Sequence, residues 1–232
     1  MNENGTGNDL RALVDFRTQI QKQRIAISNR IDALAREVDN AEQTTSALWE
    51  RWHDELRGIE MRIDYDIQDN TDDHPIIALM CEVKGVGKLL AAQVVAHVDI
   101  SRAPHVSSLW RYAGYGVNSD GERDRLQKGI KAPYNKGLKT ICWKIATSFM
   151  RSNSPYRAIY DKAKERYERE RPEWTKLHIH NAATRKMTKI WLQHLWLTWR
   201  ELEGLPVNDP YVFGNPAHTH YITPEQMGWP VV

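Results

Sequence analysis

Apolar residues recur every seven positions at the start of this sequence. Leu13, Ile20, Ile27 and Leu34 hold one seam, and Leu10, Ile31 and Val38 hold the next, where Arg17 and Arg24 interrupt. About four such heptads predict a long helix from about Asp9 to Asp39 with coiled-coil character. Asn40 to Ser46 holds poor helix formers and candidate caps (Thr44, Thr45, Ser46), which predicts a break. A second helix is expected from about Ala47 to Ile67, with Trp49, Trp52, Leu56, Ile59, Ile63 and Ile67 as its stripe. Thirty helical residues span roughly 45 Å, more than one small core covers. The two stripes predict an antiparallel helical hairpin completed by a second copy of the chain. Packing of both helices on the body of the same chain is the alternative.

The polar run 68–75, ending at Pro75, is the best domain boundary. Beyond it, Ile76 to Cys81 and Leu89 to Val98 read as short helices joined at Gly85, Val86 and Gly87, and Trp110 to Gly116 closes this half. Asn118 to Asn135 reads as a loop. Leu138 to Met150 is a helix with Ile141, Cys142, Ile145 and Phe149 on its apolar face. Tyr156 to Glu170 is a charged helix. Ala182 to Leu202 is the last, and its tryptophans Trp191, Trp196 and Trp199 recur at helical spacing, as in a core. Residues 205–232 hold five of the ten prolines and form an irregular tail. There is no internal repeat and no sustained alternation of period two. The expected fold is mainly α: a helical hairpin in residues 1–70, a helix-hairpin-helix domain in 76–204, and the tail.

At 232 residues, 41% hydrophobic and 27% charged, the composition is that of an ordinary globular protein. No window of 18 apolar residues exists, which excludes a transmembrane helix. The first ten residues lack a basic region and an apolar stretch, so no secretory signal is expected. A cytoplasmic protein is the reading. Cys81 and Cys142 are too few for a disulfide scaffold or a four-cysteine zinc site and read as small buried hydrophobes. The net charge of +2 hides an asymmetry. Residues 1–83 carry −8, residues 121–200 carry +12, and the last 32 carry −4. A basic block of this size points to a polyanionic partner, nucleic acid above all. Docking of that block on the acidic N-terminal part is the bland alternative. The acidic tail from Glu201 would suit a shield over the block when DNA is absent.

The turn from Lys84 to Lys88 is the most informative stretch. An apolar helix, a Gly-x-Gly turn and a second helix describe a helix-hairpin-helix element. Glycine accepts turn geometries closed to other residues and leaves no Cβ in the path of a phosphate. Backbone N–H groups opening the second helix would face that phosphate. Contacts of this kind read the backbone and predict binding without sequence preference. Arg123, Arg125, Lys128, Lys131, Lys136 and Lys139, interleaved with Gly129, Tyr134 and Gly137, suit a groove-lining, salt-sensitive contact. A solvated loop is the competing reading. Lys162 to Arg171 alternates in sign and reads as a solvent face. His178 with His180, and His218 with His220, lack the cysteines or carboxylates that would complete a metal site, so no metal is assigned.

From about Leu79 to Arg200 the sequence resembles the C-terminal domain of the insertion sequence 110/116/902 group of DEDD transposases, relatives of the Piv-type DNA invertases. The matching pieces are Gly85-Val-Gly87, Ala91-Ala92, the run from Leu109 to Gly114, Ser119-Asp-Gly121, Asn135-Lys-Gly137, Ser154-Pro155 and Tyr160. They agree in order and spacing over about 120 residues. The family also carries a coiled coil, a role that residues 10–67 would suit. Its N-terminal half is a RuvC-like nuclease domain with four metal-binding acids, for which these helical first 70 residues have no strand pattern. The resemblance implies that any divalent metal arrives with a partner nuclease chain and that this chain holds no cofactor.

A serine of the family's domain is proposed to attack DNA, and Ser119 alone could inherit that role by position. Its loop departs from the family's Ser-Ser-Gly, reading Asn118-Ser-Asp-Gly121. A serine hydroxyl also needs a base or metal to activate it. Three readings stand at this point. The first is a homodimeric protein that binds duplex or branched DNA and works with a separate catalytic subunit. The second is a recombinase with Ser119 as nucleophile. The third is a coiled-coil scaffold for an acidic protein or RNA, RNA being admitted by the family's dependence on a guide.

Overall fold

The computed structural model of the chain describes residues 3–37, 43–117, 121–123, 126–207 and 222–231. Among them are eight α-helices, two 3-10 turns and no strand, so the fold is mainly α. The chain divides into two compact units, Met1–Asp73 and His74–Val232.

The first unit is built from α1 (Glu3–Glu37) and α2 (Gln43–Asp69). Both begin before the apolar periodicity does, at Glu3 and Gln43, because the spacing of apolar residues marks a stripe rather than the ends of the helix that carries it. Much of the expected break lies outside the described residues, and its second part, from Gln43, is helical.

The two helices run antiparallel. Arg17 pairs with Asp64 (2.7 Å), Arg24 with Glu60 (2.6 Å), and the Arg30 guanidinium sits 5.7 Å from the Trp49 ring centre. Arg17, only 6% exposed, also reaches Glu60 at 2.7 Å, and Gln21 donates to the same carboxylate at 2.9 Å. The two arginines that interrupt the apolar seam therefore form a polar layer inside it. Burial alone would raise the Glu60 carboxyl. The Arg24 hydrogen bond and the charges of Arg17 and Arg24 outweigh it and hold the group below the usual carboxylate range. Val14, Ile63 and Ile67 are the most deeply buried apolar residues here, whereas Trp52 of the expected stripe is 45% exposed.

The second unit contains α3 (Pro75–Glu82), α4 (Lys88–His97), α5 (Val106–Tyr112), α6 (Lys136–Ser152), α7 (Pro155–Glu170) and α8 (Lys176–Leu202). Its core lies where α8 meets α6 and α7. Met187, Trp191, Leu192 and Leu195 of α8 are fully buried with Ile145 and Phe149 of α6 and Tyr156 of α7. The Phe149 ring stacks on Tyr156 at 4.7 Å and meets Trp191 edge-on at 6.3 Å. Each such side chain contributes roughly 1.5–3 kcal/mol by leaving water.

Helix α8 starts six residues before the expected Ala182, because the Thr175 side chain caps it by accepting from His178 N–H. Cys142 is buried as expected. Cys81 is exposed, contrary to expectation. It stands one residue beyond the buried row Ile76, Ile77 and Met80, and one step of 100° turns it out of the core.

The described part of the tail is more ordered than its prolines suggest. A 3-10 turn (Glu225–Met227) leads to Trp229, which is 3% exposed. Its indole N–H donates to Tyr156 Oη at 2.8 Å. Tyr156 Oη lies 2.6 Å from His194 Nδ1, and His194 Nε2 lies 2.9 Å from the Ile222 carbonyl. A carbonyl only accepts, so the proton sits on Nε2 and Tyr156 donates to Nδ1. With a neutral histidine, the polar atoms of Trp229, Tyr156 and His194 in this relay are all satisfied.

Candidate nucleic-acid interface

The two glycines of the turn between α3 and α4 serve different ends. Gly85 has φ +101°, and its carbonyl accepts from Ser148 Oγ of α6 at 2.6 Å. A Cβ there would stand 2.7 Å from Ser152 Oγ and 3.1 Å from the Phe149 ring. Gly87 caps α4 with φ −93° and no side-chain cap, and a Cβ there would meet nothing within 4 Å. Gly85 seats the turn on α6, and Gly87 leaves the space in front of α4 clear of side-chain atoms. Lys84 beside them is exposed, Lys88 is half-buried, and Val86 is buried at 4%, pinning the turn. Val86 is therefore a packing residue in a position expected to face DNA.

The opposite end of α6 gathers most of the other residues singled out by the sequence. Asn135 caps α6 by accepting from Leu138 N–H at 3.0 Å, and its amide donates to Tyr112 Oη at 2.8 Å. Its backbone N–H donates to the Tyr112 carbonyl at 2.8 Å. Gly137 lies so close to His97 that a Cβ would be 2.8 Å from the ring. Gly114, at φ +78°, packs on Tyr134 and the Lys139 stem, each about a Cβ contact of 3.0 Å away. The Lys139 ammonium then sits 4.2 Å from the Tyr134 ring centre.

From α8, Arg185 donates to the carbonyls of Tyr115 (2.6 Å) and Gly116 (2.7 Å). Lys189 caps the Trp110 ring at 3.9 Å, while the Trp110 indole donates to the Lys189 carbonyl at 2.9 Å. Burial, and then the charge of Arg185, lowers the Lys189 ammonium below the usual lysine range.

These contacts give the motif residues Trp110, Tyr112, Gly114, Asn135 and Gly137 one joint task. They close the base of the loop that runs from Val117 to Tyr134. Arg123, Lys128 and Lys131 on that loop are exposed, as is Lys136. Ser119 and Arg125 lie outside the described residues. The described basic residues of the turn and of the loop thus form two separate groups. Gly85 meets α6 at Phe149 and His97 meets it at Gly137, so α4 and α6 run antiparallel. Twelve residues of helix put the groups roughly 18 Å apart along α6.

The histidine pair on α8 is otherwise engaged. His178 stacks on Trp174 at 4.1 Å, and His180 Nδ1 lies 2.8 Å from Tyr160 Oη. Among the described residues no group of three His, Cys, Asp or Glu is placed to hold a metal ion. Helix α7 carries the ion pairs Arg157–Asp161, Lys164–Glu168 and Arg166–Glu170 along its surface, in keeping with a solvent face. Among the described helices, none is long and apolar enough to cross a membrane.

Sequence reasoning passed over Arg185 and Lys189, whose part depends on contacts about 70 residues away. It also passed over Trp143, 59% exposed on α6. The helical wheel carried that signal, since Trp143 stands two residues, or 200°, from buried Ile145.

No curated protein matches the chain. Residues 77–161, a little over a third of the chain, match the model of the Transposase IS116/IS110/IS902 family. The match begins in α3 and ends in α7, and so takes in the glycine turn, the closed loop base and all of α6. A domain of that transposase family, and with it a transposase-related role, is what this stretch supports.

Proposed function

We propose that the chain is a DNA-binding protein of transposase ancestry that grips the DNA backbone and acts in transposition or recombination beside a separate catalytic subunit. The observation that carries this reading is the open N-terminus of α4. Gly87 keeps the approach to that helix start clear of side-chain atoms, next to the exposed cation of Lys84 and in the positive field of the helix. The loop cations Arg123, Arg125, Lys128 and Lys131, with Lys136 and Lys139, add salt-sensitive affinity. In this reading α1 and α2 join two copies, any divalent metal belongs to the catalytic partner, and the protein works in the cytoplasm at the nucleoid. Fluorescence anisotropy with labelled duplex, four-way junction and single-stranded RNA at several salt concentrations tests it. Binding to duplex or junction that falls steeply with salt is expected. A protein that binds none of them at low salt is a protein-interaction scaffold instead.

A second reading draws on the closed loop base. Asn135 and Tyr112 hold together the two ends of the segment whose sequence contains Ser119. Ser119 is then the nucleophile, with the activating acids supplied in trans. This reading requires a covalent protein–DNA adduct that Ser119→Ala abolishes. Absence of adduct in the presence of the catalytic partner removes it.

A further inference from the structure

Helix α6 differs from the charged helix beside it. Its 17 residues carry Lys136, Lys139, Lys144 and Arg151 and no acid. Helix α7 pairs Arg157, Lys164 and Arg166 with acids of its own, whereas α6 holds no carboxylate. The outward face of α6 reads Lys136, Thr140, Trp143, Thr147 and Arg151, at spacings of four, three, four and four, all exposed or half-exposed. That row is roughly 22 Å long. The Thr140 and Thr147 hydroxyls donate to the carbonyls of Lys136 (3.0 Å) and Trp143 (2.9 Å), which spends their polarity inside the helix. A large indole is left standing between two shoulders of little remaining polarity, with a cation at each end.

The other surface tryptophans have their rings taken. Arg30 lies over Trp49, Arg51 over Trp52, Lys189 over Trp110 and Arg171 over Trp174. Trp143 carries no such cation among the described residues, and it is 59% exposed. An open aromatic face in a purely cationic row is complementary to a strand that offers both phosphate and a bare base. Intact duplex shows base edges in its grooves and keeps base faces stacked inside. Only a gap, a flap or a junction presents a free face.

We propose that the outer face of α6 is a track for DNA carrying an unpaired base, with Trp143 as the stacking platform and Lys136 and Arg151 gripping the flanking phosphates. The inference rests on the DNA-binding reading above and adds the substrate form: DNA opened at the site of action.

The test compares two labelled duplexes of equal length, one intact and one with a short central single-stranded gap containing 2-aminopurine, on the full chain. Wild type is expected to bind the gapped DNA more tightly and to quench the 2-aminopurine. Trp143→Ala should weaken binding to gapped DNA about tenfold and abolish the quenching, while intact duplex changes less than twofold. Trp143→Phe should restore part of both signals, which loss of fold would not allow. Equal weakening on both duplexes overturns the proposal, as does no effect on either. Salt-sensitive duplex binding without a Trp143-dependent preference for the gap overturns this inference and leaves the DNA-binding reading standing. No DNA binding by wild type overturns both. A single-stranded RNA that depends on Trp143 when gapped DNA does not assigns the face to RNA, against the proposal.

Discussion

A methyl group added at Gly85 would press on Ser152 Oγ and the Phe149 ring in a backbone conformation with positive φ, whereas one added at Gly87 would meet no atom within 4 Å. The pair therefore separates folding from binding. Gly85→Ala is expected to cost about 1–3 kcal/mol in urea denaturation through backbone strain and contact with α6. Gly87→Ala should cost under about 1 kcal/mol as a poorer cap, yet weaken binding to every duplex by obstructing the approach to α4. If Gly87→Ala binds as wild type does, the phosphate is not held at this turn.

His194 gives a pH-dependent counterpart. Burial lowers its pKa to about 4, against an ordinary 6.5, and the Ile222 carbonyl and Glu225 only partly oppose this. Between those values the unfolded chain binds a proton that the folded chain does not. Stability is then complete above about pH 6.5 and is lost as pH falls toward 4, by up to about 3 kcal/mol. Urea midpoints at pH 7 and pH 4.5 should differ by more in wild type than in His194→Gln. The same network makes truncation at Gly204 a poor test of an acidic shield, since it also removes Trp229 from the core.

At the scale of elements, the heptads locate α1 because burial along a helix repeats with its turn, and that periodicity is local in the chain. The partners of Arg17 are not legible in the same way. Which acid an arginine meets depends on the register of α1 against α2, which no spacing within α1 encodes. The same holds for Trp229, whose place is set by Tyr156, 73 residues away. The glycine turn and the helices α3, α4, α6 and α8 were readable from apolar runs and α7 from its charges, whereas α5 (Val106–Tyr112) was not read as a helix. The distance between the two groups of basic residues was not readable, because it follows from the antiparallel packing of α4 on α6.

The buried layer of Arg17, Arg24, Glu60 and Asp64 carries its own prediction. Arg17→Ala leaves Glu60 and Asp64 facing each other with one cation fewer and should cost about 3–5 kcal/mol in thermal or urea melts. Replacing the whole layer, Arg17, Arg24, Glu60 and Asp64, by leucines should recover most of that loss, since no member is then left without its partner. A fourfold variant as unstable as Arg17→Ala would mean the layer stabilises the pair of helices beyond what apolar packing can supply.

For the whole molecule, the decisive quantity is how many phosphates one DNA touches. The two basic groups stand roughly 18 Å apart along α6, the rise of about five base pairs. If a single duplex lies across both, Lys84→Ala and Lys136→Ala should each reduce the slope of log affinity against log salt by about one. The double variant should reduce it by about two, because residues this far apart act independently. Shortening the duplex separates this arrangement from two unrelated patches. Below about five base pairs only one end can be occupied, and the double variant should then lose no more slope than one of the single variants does. Two patches that bind separate DNA molecules would instead give slopes independent of length and a second binding event at high DNA concentration. Titrations of the wild type and the three variants against duplexes of graded length decide between one continuous track along α6 and two separate contacts.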